Sequence, residues 1–194
     1  MLPETATHEG FQVARPIFAN LTQHQNDEVH MEVRPITLND LNAFYALFCE
    51  VNAEGLYSAR SSPPPIQAVE RALTQVVENR WPVYVIEREG QIIGSAEAYP
   101  DSFCRTGGSE FVGILGMQVK REYRRSGYGF ALLSVVIGHC REAGFNSVDL
   151  SVFTSNTAAR SLYRKLGFIW IEELPPCTLP CGRVETPIKM RLAL

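Results

Sequence analysis

Two arginines and two glycines in one short stretch hold the first chemistry that can be read from this chain. Tyr123-Arg124-Arg125-Ser126-Gly127-Tyr128-Gly129-Phe130 follows a strand-like run ending Met117-Gln118-Val119 and leads into Ala131-Leu132-Leu133-Ser134-Val135-Val136-Ile137, an apolar helical run. The glycines therefore stand where a strand turns into a helix. There the first backbone N–H groups have no intrahelical partner and carry the positive end of the helix dipole, so the turn is suited to an anion. Gly127 and Gly129 permit unusual φ/ψ angles and close backbone approach. Arg124 and Arg125 add charge that can pair with phosphate oxygens, and a pyrophosphate fits. An ordinary tight turn with two solvated arginines has the same composition, and G-x-G alone does not separate the two readings.

The two common phosphate loops do not apply. The dinucleotide fingerprint G-x-G-x-x-G needs a third glycine where Leu132 stands. The nucleotide P-loop needs a Gly-Lys-Ser or Gly-Lys-Thr, and the chain has neither. The stretch Arg124-x-x-Gly127-x-Gly129, after a hydrophobic strand, does resemble the R/Q-x-x-G-x-G/A loop of the GCN5-related N-acetyltransferases. Downstream, Asn156-Thr157-Ala158-Ala159-Arg160-Ser161-Leu162-Tyr163-Arg164-Lys165-Leu166-Gly167-Phe168 resembles that family's N-x-x-A-x-x-L-Y-x-K-x-G-F block. The two blocks stand in the family's order and at a usual separation. The resemblance runs from about Met31 to the C-terminus and is strongest from Gly113 to Phe168.

The resemblance implies acetyl-CoA as co-substrate and a chemical duty for particular residues. Transfer to an amine requires a thioester held beside a neutral amine, stabilisation of the oxyanion and a proton for the departing thiolate. The cofactor pyrophosphate would rest on Arg124, Arg125, Ser126, Gly127, Tyr128, Gly129 and Phe130, chiefly through backbone N–H groups. The pantetheine arm would lie in a splay between the fourth and fifth strands along Met117, Gln118 and Val119, with the Val119 N–H polarising the thioester carbonyl. Asn156 would bond the arm, or simply cap its helix. Tyr163 matches the family's general acid. For the base, Glu97 and Glu110 are the candidates, and each could equally be a solvent-facing strand residue. Glu54 and Tyr57, in a loop that overlies the acceptor side in this fold, are candidate substrate contacts. No metal site is expected, because only Cys177 and Cys181 lie close together.

The elements that must position these groups follow from periodicity and breakers. Met31-Glu32-Val33-Arg34-Pro35-Ile36 reads as a first strand, with the proline marking an edge. Thr37 or Asn39 caps a helix carrying Leu41, Phe44, Tyr45 and Phe48. Pro63-Pro64-Pro65 leads into a second helix, with Ile66, Val69, Leu73, Val76 and Val77 as its buried stripe. A hairpin turns at Glu89-Gly90, and Asp101 to Ser109 reads as a less ordered loop. Phe111 to Val119 is the strand entering the anion loop, and the helix after it stops at Gly144 with Gly138 packed closely inside it. Val148 to Phe153, Phe168 to Glu173 and Pro187 to Leu192 are the last strands. Pro175 to Gly182 is a connecting loop. These alternations predict a single α/β domain. The resemblance implies its details: a mixed central sheet of about six to seven strands, splayed between the fourth and fifth and flanked by about four helices.

Composition sets the outer bounds. At 194 residues, 45% hydrophobic and 20% charged, the chain has the content of one globular domain with a substantial core. We divide it into an extension, 1–30, and a domain, 31–194. The extension holds His8, His24 and His30, reads as solvated, and could dock through Ile17, Phe18 and Leu21, and Met31 could serve as an alternative start. A net charge of −3 argues against nucleic acid or an anionic membrane as partner. No apolar run approaches a membrane span, the first residues lack signal-peptide character, and five dispersed cysteines fit a reducing cytoplasm. The expected partner is a small-molecule amine such as an amino acid, with a homodimer as the expected assembly. Two other readings stay open: a protein N-terminal or lysine acetyltransferase, and a non-catalytic acyl-CoA-binding module.

Overall fold

The computed structural model describes residues 31–194. The expectations for the 1–30 extension, including docking through Ile17, Phe18 and Leu21, lie outside the described residues. Seven strands form one mixed sheet in the order β1-β2-β3-β4-β5-β9-β6. They are β1 (Met31–Pro35), β2 (Val83–Arg88), β3 (Gln91–Pro100), β4 (Val112–Val119), β5 (Ser147–Phe153), β6 (Ile169–Glu173) and β9 (Pro187–Ala193). A separate two-stranded hairpin, β7 (Cys177–Thr178) with β8 (Val184–Glu185), interrupts the region expected as plain loop. Helices α1 (Leu41–Ala53) and α2 (Ile66–Asn79) cover one face of the sheet, while α4 (Tyr128–Glu142) and α5 (Thr157–Lys165) cover the other. A fifth helix, α3 (Asp101–Cys104), is a single turn within the stretch expected to be less ordered.

Two apolar cores follow from this layering. Ile36, Phe44, Leu47, Leu73, Val76, Val83, Val85 and Ile92 fill the α1/α2 side. On the other side α4 buries Leu132, Leu133, Val136, Ile137 and Cys140 against Ala96, Ala98, Leu115 and Val148, and each such large side chain contributes about 2 kcal/mol. Val77, expected in the buried stripe of α2, is 41% exposed. It lies one position past Val76, and the 100° step per residue carries it off the face. Gly138 has no neighbour within 4 Å of where a Cβ would stand, so the expected close packing is absent.

Register explains how the sheet opens. β3 pairs with β4 without interruption from Gly94↔Val119 to Pro100↔Gly113, and β5 pairs with β9 over its whole length. The buried Asp149 braces that second pair, accepting from Arg191 Nε at 2.6 Å and Nη2 at 2.7 Å with Lys189 Nζ at 3.0 Å. Between the two pairs, β4 and β5 run parallel and touch only at Val112↔Ser147, Gly113↔Val148 and Ile114↔Asp149. Beyond Ile114 they part, and the facing edge of β4 is left without a strand partner.

Candidate active site

The opening between β4 and β5 continues into a cavity of about 1060 Å³, within reach of a ligand larger than a typical drug. Its wall takes Leu115 to Val119 from β4, Arg124, Arg125, Gly127, Gly129 and Phe130 from the glycine turn, Ser151 to Phe153 from β5 and Asn156 to Ala159 with Ser161 to Tyr163 around α5. Ser126 and Tyr128, expected at the pyrophosphate, do not line it, and the Tyr128 hydroxyl accepts from Arg88 instead. Lys120 N–H donates to Ile93 O, so it faces β3. Alternation along the strand then turns the Met117 and Val119 N–H groups toward the gap. Gln118 points the other way and donates through Nε2 to Ser95 Oγ at 3.2 Å.

The glycine turn has the backbone form of an anion cradle. Arg125 has φ 67° and Gly127, the residue preceding α4, has φ 86°. Left-handed residues on this spacing bend successive N–H groups toward one concavity. Ser126 N–H closes the turn over Arg124 and Arg125, while among the described residues the backbone N–H groups of Arg125 and of Gly127 to Phe130 have no protein acceptor; the first amide of the helix to be bonded is Ala131, to Gly127 O. Gly129 has a different reason to be glycine. A Cβ there would stand 3.2 Å from both Leu162 Cδ2 and Met117 Sδ, so its absence lets α4, α5 and β4 converge beneath the cradle. Asn156 caps α5, accepting from Ala159 N at 3.2 Å, and also lines the cavity.

Arg124 is placed differently from Arg125. Its Nε donates to Val119 O at 2.8 Å and its two Nη groups form a bidentate pair with Glu54, Nη1 to Oε2 at 2.8 Å. Its guanidinium also lies 5.0 Å from the Tyr57 ring centre. Glu54 and Tyr57 are thus brought to the site, but Glu54 is engaged with Arg124. A cation that sequence reasoning did not single out also lines the cavity: Lys165 Nζ is 5.0 Å from the ring of Phe130, at the end of the glycine turn. Its place in the α5 block, nine residues after Asn156, was the available signal.

The two base candidates part company. Glu110 is exposed, just before β4 begins, at the end of that strand remote from the anion cradle and outside the cavity wall. Glu97 pairs directly with Gly116 on β4, and a Cβ on Gly116 would stand 2.5 Å from Glu97 Oε1. The missing side chain is therefore what admits the carboxylate beside the cavity wall. Burial pushes the Glu97 carboxyl up from 4.5 to about 7, against a small lowering by Ser95, whose Oγ is 3.5 Å from Oε2. Tyr163 is buried in the wall with its ring 5.7 Å from Phe168. Burial first, and then the nearby Glu97 charge, raise its phenol above the ordinary value of 10, so it keeps its proton at neutral pH. The site thus sets a carboxylate tuned near neutrality and a protonated phenol beside one gap.

Further groups in the cavity wall escaped sequence reasoning. Ser58 and Ala59 from the loop after α1 line the same cavity as Leu174, Cys177 and Pro187, which lie more than a hundred residues later in the chain. Nothing in the local pattern marks them, because they meet only when the sheet is assembled. Among the described residues no group of three or more His, Cys, Asp or Glu side chains is arranged to hold a metal.

Comparison with known proteins accords with this geometry. The sequence is 30% identical over 145 residues to an amino-acid acetyltransferase of Pseudomonas putida, covering 74% of this chain but only 29% of that longer protein. The fold matches a ribosomal-protein-alanine N-acetyltransferase of Brucella melitensis with a TM-score of 0.75 at 26% identity, over 84% of this chain and 99% of the other. It also matches an acetyltransferase of Salmonella typhimurium, solved with acetyl-CoA, with a TM-score of 0.77 at 20% identity, over 85% and 94% of the two chains. The profile of the Acetyltransferase (GNAT) family covers residues 46–168, which takes in the loop after α1, the glycine turn and the α5 block, and the chain belongs to that family.

Proposed function

We propose that this protein is an N-acetyltransferase that moves the acetyl group of acetyl-CoA to the primary amine of a small molecule such as an amino acid, by direct attack with both substrates bound. The observation that carries this reading is the run of unpaired N–H groups from Gly127 to Phe130, opening onto a gap flanked by a raised carboxylate and a protonated phenol. The residues fit acetyl-CoA: the cradle and Lys165 suit a pyrophosphate, and the free β4 edge at Met117 and Val119 suits an amide-bearing arm. When bound, acetyl-CoA supplies an activated acyl carbon on a thiol leaving group. The Val119 N–H, which faces the gap, would donate to the thioester carbonyl, where an oriented donor stabilises the charge that develops on the oxygen. Glu97, directly or through water, takes the proton the amine must lose. Tyr163 gives its proton to the sulfur as the C–S bond breaks and the C–N bond forms. Asn156 supports the arm while capping α5.

Release of free thiol from acetyl-CoA, measured with a panel of amino acids, polyamines, aminoglycosides and peptides, tests the proposal. We expect turnover with a free amino acid or related amine. Turnover with peptides alone would transfer the reading to protein acetylation, which the likeness to the Brucella protein supports as the second candidate. Acetyl-CoA binding without turnover on any amine would leave an acyl-CoA-binding module. Cytoplasmic residence and a homodimer belong to the same proposal. Five unpaired cysteines support the first, and sedimentation velocity tests the second. Among the described residues no helix is long and apolar enough to cross a membrane.

A further inference from the structure

We infer that Arg124 acts as a strut for the acceptor side: through its ion pair with Glu54 it holds the loop after α1 and seats Tyr57 in the cavity wall. The inference rests on the proposed function only in calling that side the acceptor's. All three nitrogens of the guanidinium are already used, Nε on Val119 O and both Nη groups on the Glu54 carboxylate. The pair spans 70 residues of sequence and is largely enclosed, with side-chain exposures of 24% for Arg124 and 14% for Glu54. Glu54 stands at the C-terminal end of α1, where exposed carbonyls already favour a cation. Gly55, at φ 64°, then turns the chain so that Tyr57 comes back over the guanidinium at 5.0 Å. Tyr57 is 44% exposed and faces the cavity, so the strut fixes a side chain that an acceptor would meet.

A phosphate could recruit Arg124 only by leaving the Glu54 carboxylate enclosed and unpaired next to a second negative charge, and both consequences are unfavourable. The unpaired amides of the cradle, with Arg125 and Lys165 at its rim, provide for an anion without it. One residue thus begins the cofactor loop in sequence while its side chain serves the opposite wall. Loss of either member of the pair releases the same loop, so the two losses should not add.

The test compares E54Q, R124Q and the double variant with the parent protein. Calorimetry with acetyl-CoA gives cofactor affinity. Amide hydrogen exchange over residues 54–62 reports loop order, and steady-state kinetics use the amine with the highest turnover in the panel above. Each single variant should speed exchange in 54–62 by about tenfold or more. Each should raise the KM for the amine by about tenfold with kcat within about threefold, and leave acetyl-CoA affinity within about twofold. The double variant should be no worse than either single one. A tenfold loss of acetyl-CoA affinity in R124Q but not in E54Q would make Arg124 a phosphate ligand and overturn the strut, and so would unchanged exchange in 54–62. Exchange and calorimetry need no turnover, so the strut is decided even if no amine in the panel is acetylated.

Discussion

Replacing Glu97 by Gln separates the cost of holding that carboxylate from its use. In the folded protein its pKa is about 7 against an ordinary 4.5, because burial disfavours the charged form. Below pH 4.5 the carboxyl is neutral folded or unfolded and costs nothing. As pH rises from 4.5 to 7 the unfolded chain ionises and the folded one resists, so stability is lost at about 1.4 kcal/mol per pH unit. The window carries about 3 kcal/mol, and above pH 7 the penalty is constant. Gln has nearly the same shape, fits the space above Gly116 and does not titrate. Urea unfolding of the parent and Glu97→Gln at pH 5, 6, 7 and 8 should therefore show the variant gaining on the parent by about 2 to 3 kcal/mol between the lowest and highest pH. Acetyl transfer by the parent should rise with pH through about 7 as the base deprotonates. In the variant that limb should disappear together with most of the turnover. A stability difference that is flat with pH would refute the raised carboxyl. An unchanged pH–rate profile in the variant would refute its role as base.

Other expectations follow from single residues. Gly127→Val places a β-branched side chain at φ 86°, where L residues are strained by about 1 to 3 kcal/mol, and crowds the cradle. Calorimetry on the folded variant should show acetyl-CoA affinity reduced by about tenfold or more. Tyr163→Phe keeps the ring against Phe168 and removes a hydroxyl that has no hydrogen-bond partner among the described residues, so its melting temperature should be near the parent's. Pre-steady-state turnover should fall by about 10² to 10⁴, and acetyl transfer at the parent rate would reduce Tyr163 to packing. Residues 31–194 alone should be soluble and bind acetyl-CoA as the full chain does, since the cradle, the gap and both cores lie within them. Aggregation of that fragment would show that Ile17, Phe18 and Leu21 complete a surface.

Legibility followed the range of the forces involved. The Glu89-Gly90 hairpin, the Asn156 cap and the alternating Ile188, Met190 and Leu192 of β9 were readable because their causes lie within a few residues: paired positive φ angles, a side chain bonding its own helix, and a two-residue period. The β7–β8 hairpin was not readable, since two-residue strands carry no period, and the single turn of α3 sits in a polar stretch. At the site the same division holds. The turn before α4 is a local backbone device, and its glycines made that turn readable. What separates Glu97 from Glu110 was hidden, because both could be solvent-facing strand glutamates until pairing sets Gly116 beneath one of them and leaves the other exposed. Arg124 makes the sharper case. Beside a glycine turn an arginine reads as a phosphate ligand, yet its nearest charge is a glutamate 70 residues earlier in the chain. Which anion an arginine serves is decided by what the fold encloses with it, and a sequence motif records only where its backbone lies.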